Sequence, residues 1–318
     1  MASIGRVGKR VIVIGVDPHP SGHVACAMDD SARVIGECDV RNDPEGYERL
    51  LDWANEYQPR RWAVEGPASG FARVLVARLL EAGEDVVGIA PAMTAQYRRK
   101  RWRGKDDRID AANVARALLA NPDLPYYAPP PYQDRLRELT RSYQRVSQQL
   151  RAMRMAARAL ETAEARQALG AVIMALEGAV RDLKATIHAT VAPLAAPLLA
   201  RPGVGPIVAG VVLAEAGRIG RFRSRDHFAA FAGCAPIPWA SGAQSAVRVN
   251  PGGNRRLNWA AHIVVLGRLR IDPATRAYRD RKLSEGKTQR EIIRSLKTYV
   301  CRELYACLRT LAQTPATA

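Results

Sequence analysis

Lys105-Asp106-Asp107-Arg108-Ile109-Asp110 puts a carboxylate cluster at the opening of a helix, directly after the basic run Arg98, Arg99, Lys100, Arg101 and Arg103 around Trp102. Residues three apart share a helix face, so Asp107 and Asp110 can converge on one point while the preceding cations, Lys105 included, face a polyanion. Two more carboxylates stand at the ends of short apolar runs: Asp17 after Val11 to Val16, and Glu65 after Trp62-Ala63-Val64. Oxygen-donor sets of this kind suit magnesium, which keeps several waters and takes its remaining ligands from substrate phosphates. Two such ions about 4 Å apart can stabilise both the attacking and the leaving oxygen of an in-line phosphoryl displacement. Singly, each carboxylate has a plainer explanation, and an acidic first turn also complements the helix macrodipole. A strand-borne Asp, a strand-borne Glu and a helix-borne Asp pair within one α/β domain are together a much rarer coincidence.

The chain as a whole carries the field that such chemistry needs. Its 318 residues include 48 Lys and Arg against 31 Asp and Glu, a formal charge of +17, which makes nucleic acid the default partner. With 47% hydrophobic residues it can fill the cores of two or three compact units, which excludes a disordered tail. The run Val11 to Val16 is far too short to cross a bilayer and lacks a signal-peptide cleavage pattern, so a soluble, cytoplasmic protein without a membrane partner is expected. Cys26, Cys38, Cys234, Cys301 and Cys307 are odd in number and show no C-x-x-C or His pairing, which argues against disulfides or zinc and for reduced packing residues.

The elements that must position the carboxylates follow from periodicity and punctuation. Strands are expected over 10–16, 24–28, 34–40, 62–65 and 85–89, and helices over 43–57, 71–82 and 107–119, a β-β-β-α-β-α-β-α order typical of an α/β domain over residues 1–125. Prolines from Pro122 to Pro131 end it. Residues 126–195 then change character: Leu136, Leu139, Tyr143, Val146, Leu150, Met153, Ala157 and Leu160 alternate by threes and fours, and Leu169, Ile173, Leu176, Val180, Leu183 and Ile187 repeat the pattern. This is the seam of a coiled-coil arm, either a helical hairpin or one long helix with a stutter, joining protomers or folded back internally. Arg137, Arg141 and Arg145 form a ladder off that seam, a solvated face or a phosphate-facing ridge.

A third unit, 196–318, opens with Gly203-Val204-Gly205, which resembles a helix-hairpin-helix turn that approaches phosphate through backbone amides; tight helix packing is the alternative. Trp239-Ala240-Ser241-Gly242 and Pro251 to Arg256 read as an exposed loop pair, with Arg255 and Arg256 available to phosphate, before helices over 257–270 and 288–311.

The motifs Gly15-Val16-Asp17, Val64-Glu65-Gly66 and Lys105-x-Asp107-x-x-Asp110-Ala111 resemble those of the DEDD transposases of the insertion-sequence 110 family. The C-terminal unit is similar too, through Pro202 to Gly205, Phe231 to Pro236, Ser241-Gly242 and Gly253-Asn254-Arg255-Arg256-Leu257. The resemblance implies an RNase H-like (RuvC-like) first domain related to Holliday-junction resolvases and a mainly α C-terminal transposase domain. It implies magnesium held by Asp17, Glu65, Asp107 and Asp110 as the catalytic carboxylates, with Ser241 as the nucleophile. It further implies a homo-oligomer, dimer or tetramer, and a guide RNA, the bridge RNA, pairing with donor and target DNA. Asp106 departs from the small hydroxyl residue common in that pattern, and Ser245 stands near enough to Ser241 to be an alternative nucleophile. The expected function is therefore a transposase or site-specific recombinase that cuts and rejoins DNA strands. The alternatives are a metal-only junction nuclease, which needs the carboxylates but not the serine, and a basic scaffold that coats nucleic acid.

Overall fold

The structure, a computed structural model, describes residues 11–97, 107–241, 244–248 and 252–313, and the chain divides into two compact units between Ala128 and Pro129. That division falls inside the proline-rich stretch from Pro122 to Pro131.

The first unit is built on β1 (Ile12–Pro18), β2 (Gly22–Met28) and β3 (Val34–Arg41), followed by α1 (Pro44–Ala54), β4 (Arg60–Glu65), α2 (Ala72–Glu81), β5 (Val86–Ile89), α3 (Pro91–Ala95) and α4 (Asp107–Leu119). Short turns join β1 to β2 and β2 to β3, and both pairs are antiparallel. The longer crossovers through α1 and α2 make β1–β4 and β4–β5 parallel, as parallel neighbours require. The resulting order is β3-β2-β1-β4-β5, a mixed five-stranded sheet. Asp43 starts α1 by accepting from the Gly46 amide at 2.8 Å, with Pro44 at the first helical position. Residues alternate along β1, so Ile14 and Val16 face a core shared with α1 and α2, while Val13 faces a second core beneath α4. A central strand covered on both faces reads as a continuous apolar run, which is why 10–16 was legible.

The second unit comprises α5 (Gln133–Ala157), α6 (Ala163–Val191), α7 (Ala196–Leu199), α8 (Pro206–Ala216), α9 (Arg225–Phe231), the ribbon β6 (Ile237–Ser241) and β7 (Gln244–Arg248), α10 (Arg255–Ile271), α11 (Pro273–Ser284) and α12 (Gln289–Gln313). The heptad segment is a hairpin: α5 ends before Thr162, whose hydroxyl caps α6, and the two helices pair antiparallel, with Arg154 on Glu177 at 2.7 Å. Where the sequence suggested a separate arm domain, the base of the hairpin belongs to this unit's core. Leu136, Ile187 and Val191 are buried together with α8, whose residues from Val208 to Ala214 are buried on every side of the helix.

One further expectation changes here. Arg137 is not part of a solvated ladder: it is 3% exposed, donates to the Ala214 carbonyl at 3.0 Å and pairs with Asp134, so its cation satisfies the C-terminal end of α8. Gly203 has φ +78°, and a Cβ there would lie 2.9 Å from the Val264 carbonyl oxygen, so the glycine turn at this position packs closely on α10. Among the described residues no helix is long and apolar enough to cross a membrane.

Candidate active site

One close approach organises the acidic site. A Cβ on Gly15 would fall 2.3 Å from the Ala111 carbonyl oxygen and 2.5 Å from the Ala115 amide nitrogen, so only glycine lets α4 lie this near to β1. Two residues along β1, on the same face, stands Asp17; on α4, Asp110 directly precedes Ala111 and Asp107 stands one turn back. The three side chains are half-buried, and each offers a carboxylate oxygen such that all three lie within 4.8 Å of one another. Three carboxylates so close repel one another, and an oxygen-only donor set suits a hard cation such as magnesium. Arg108, between the two α4 aspartates, turns to Glu37 on β3 at 3.4 Å; both are too exposed for this pair to stabilise the unit much.

Glu65 ends β4 one step beyond the Val16–Val64 pairing, which sets it beside Asp17 on the neighbouring strand. It is not one of the three clustered groups. Its Oε1 instead accepts a 2.6 Å hydrogen bond from the Thr94 hydroxyl, a fully enclosed side chain on α3. Nothing in the sequence marked Thr94. A helix of five residues is shorter than any periodicity window, and its one signal was Pro91 immediately after a strand.

Arg98, Arg99, Lys100, Arg101, Arg103, Lys105 and Asp106 lie outside the described residues.

In the second unit the expected exposed loop is an antiparallel ribbon, with Ser241 paired to Gln244 at the end of β6 and Ser245 paired to Ala240 on the next rung. Its base is clamped. A Cβ on Gly253 would meet the Gly233 Cα at 2.2 Å, so two glycine backbones interlock there. The Asn254 amide donates to the Phe231 carbonyl at 2.7 Å, while its side chain caps α10 through the Arg256 and Leu257 amides. Asn258 donates to the Ala232 and Gly233 carbonyls and accepts from Lys297 at 2.7 Å. The Gly253-to-Leu257 and Phe231-to-Pro236 motifs thus dock on each other.

Arg255 and Arg256 part company at this point. Arg255 is exposed, whereas Arg256 turns inward to Glu215 at 2.7 Å and to Gln144 and Thr140 on α5. Burial pushes the Arg256 pKa down, against the pull of Glu215. Placing Arg256 in an exposed phosphate-binding loop is therefore corrected: its guanidinium is committed to the protein.

Two family models match the chain. A DEDD transposase model of the IS110 type, described as "Transposase", covers residues 14–162, and "Transposase IS116/IS110/IS902 family" covers residues 195–280. The insertion element IS110 uncharacterized 43.6 kDa protein of Streptomyces coelicolor is 36% identical over 132 residues, 41% of this chain and 33% of that protein. The IS900 uncharacterized 42 kDa protein of Mycobacterium paratuberculosis is 34% identical over 147 residues, 43% and 35% of the two chains. These matches span about a third of either relative's length, whereas the IS116 uncharacterized 44.8 kDa protein of Streptomyces clavuligerus is 24% identical over 94% of both chains. Among solved structures, Thermus thermophilus RuvC in complex with a Holliday junction substrate aligns with 37% of this chain and 99% of its own, at 16% identity and a TM-score of 0.30. The first model takes in Asp17, Glu65, Asp107 and Asp110 and the second takes in the ribbon and its clamp; the chain belongs to the IS110 family of DEDD transposases.

Proposed function

We propose that this protein is a DNA transposase, a recombinase that cuts and rejoins DNA strands with magnesium ions and Ser241 as the nucleophile. The observation that carries this reading is the convergence of Asp17, Asp107 and Asp110 within 4.8 Å. Those three carboxylates and Glu65 would hold the metal. Bound there, magnesium supplies Lewis-acid stabilisation of the charge that develops on phosphate oxygens during displacement. The chain's own part is positional: α4 and β1 hold their carboxylates at one point before substrate arrives, and the basic run from Arg98 to Lys105, with Arg255, draws in the DNA backbone. The Ser241 hydroxyl oxygen forms a bond to phosphorus as a DNA oxygen leaves and takes up a proton. The covalent ester keeps the bond energy needed to rejoin strands.

By family resemblance the same reading includes a guide (bridge) RNA, a homo-oligomer, dimer or tetramer, and action in the cytoplasm.

The test is incubation of the protein with DNA and magnesium, then denaturing electrophoresis. A protein–DNA covalent adduct that requires both Asp17 and Ser241 supports the proposal. Hydrolysis without adduct, unaffected by Ser241→Ala, points to a metal-only nuclease, and binding without cleavage even when the guide RNA is supplied points to a scaffold.

A further inference from the structure

Thr94 is 1% exposed, and its only hydroxyl proton has two acceptors in reach: the Glu65 Oε1 at 2.6 Å and the Pro91 carbonyl, one helical turn earlier, at 3.0 Å. The shorter contact is to the charged acceptor, in the range of a charge-assisted O–H···O⁻ bond. α3 exists at the right place to make it. β5 ends at Ile89, paired to Glu65, and the chain turns through Ala90 into Pro91, which starts the helix and carries Thr94 back over the end of β4. The Gly66 amide donates to the Ile89 carbonyl at 2.9 Å and fixes the backbone on the other side of Glu65.

We infer that Thr94 is a positioning residue: its hydroxyl sets the rotation of the Glu65 carboxylate for metal binding beside Asp17, an inference that rests on the reading of Asp17, Glu65, Asp107 and Asp110 as metal ligands. Glutamate has one more rotatable bond than aspartate and ends the only one of these strands or helices that does not bring its carboxylate into the cluster of three. Left to itself such a side chain spreads over many rotamers, and holding it costs entropy at the moment of binding. A buried hydroxyl on a rigid, β-branched residue removes that cost beforehand. Carboxylates that ligate metals are held in this way by partners that do not themselves touch the ion, and loss of such a partner weakens metal binding or activity about 10- to 100-fold.

The experiment titrates manganous ion into the full-length protein without DNA and follows the paramagnetic signal of the free ion. Wild type is compared with Thr94→Val, Thr94→Ser and Asp17→Asn, with thermal unfolding in chelator as the check on folding. The expected result is a site lost in Asp17→Asn, weakened about tenfold or more in Thr94→Val, and kept in Thr94→Ser. If Asp17→Asn loses the site but Thr94→Val binds as wild type does, the role given to Thr94 is wrong while the metal reading stands. Equal weakening in Thr94→Val and Thr94→Ser also overturns it, because then packing and not the hydroxyl is at work. If wild type and Asp17→Asn bind alike, the metal reading falls and this inference with it. Should Thr94→Val not fold, Thr94→Ala against Thr94→Ser asks the same question: affinity must follow the hydroxyl.

Discussion

Gly15 and Ala111 are in backbone contact: the missing Cβ of the glycine is occupied by the helix, at 2.3 Å from the Ala111 carbonyl oxygen. This contact sets the height of α4 over β1, and with it the distance from Asp17 to Asp107 and Asp110. Gly15→Ala should therefore lower stability by about 1–3 kcal/mol, the usual cost of forcing a methyl group into a packed interior. It should also weaken metal binding in the fraction that stays folded. Denaturant unfolding and metal titration on the same sample check both, and unchanged metal affinity would show that α4 can move without disturbing the site.

Neutralising Asp107 or Asp110 separates structure from chemistry. Asp107→Asn and Asp110→Asn should abolish strand cleavage while the fold persists, because the substitution is nearly isosteric and relieves repulsion within the cluster. Ligand linkage gives a second readout: a cation that binds only the folded state raises its melting temperature, by about 2.7 kcal/mol of stability at 100 times the dissociation constant. Wild type should show this rise with added magnesium or manganese and the two variants should not. Cleavage at the wild-type rate in either variant removes that residue from the site.

The neighbouring arginines at the start of α10 make a contrast that can be measured directly. Arg256→Gln breaks a largely buried ion pair with Glu215 and the contacts to Thr140 and Gln144, and should cost about 3 kcal/mol or more of stability. Arg255→Gln, at an exposed position, should leave stability within about 0.5 kcal/mol and instead weaken DNA binding, with a shallower dependence on salt. Thermal melts and salt-dependent binding isotherms give the two results. The same outcome for both substitutions would contradict the division of roles.

How much of this was legible beforehand depends on the range of each interaction. The start of α4 at Asp107 was readable because an acidic pair at i and i+3 followed by a helical run is a local signal, and the strands that carry Asp17 and Glu65 near their C-terminal ends were readable as apolar runs stopped by a charge. Gly15 stands in the Gly15-Val16-Asp17 motif, but its partner lies some hundred residues away and no local pattern announces it. The inward turn of Arg256 has the same cause, since Glu215 is on a different helix. A heptad seam has the same period in a hairpin as in one long helix, so only the cap at Thr162 separates the two. The ribbon was hidden because Trp239-Ala240-Ser241-Gly242 read as an exposed loop, and strands of five residues are too short for alternation to stand out.

The hairpin decides which residues can test oligomerisation. Leu139 packs into the second unit's core and Leu150 is buried within the hairpin, so charges there would damage the protomer itself. Of the described residues from 151 to 186 none is buried, and Met155 and Met174 are 71% and 67% exposed. If protomers join through this distal part, Met155→Glu with Met174→Glu should shift the mass seen by light scattering toward monomer without lowering the melting temperature. A wild-type protein that stays monomeric both free and bound to nucleic acid contradicts the oligomer.

Ser241 and Ser245 occupy successive rungs of one ribbon, Ser241 opposite Gln244 and Ser245 opposite Ala240, so a single phosphate should select between them. The expected choice is Ser241, which closes β6 and belongs to the Ser241-Gly242 pair on which the sequence resemblance rests. Trapping the adduct and mapping it by mass spectrometry in wild type, Ser241→Ala and Ser245→Ala decides the assignment: the adduct should vanish only in Ser241→Ala. The carboxylates belong to the first unit and the serine to the second, so the two sets of residues can be substituted separately. Mixing Ser241→Ala with Asp17→Ala protein should restore part of the activity if the reaction draws its carboxylates from one protomer and its serine from another. An adduct on Ser245 would overturn the residue assignment, and a mixture as inactive as its components would count against sharing between protomers.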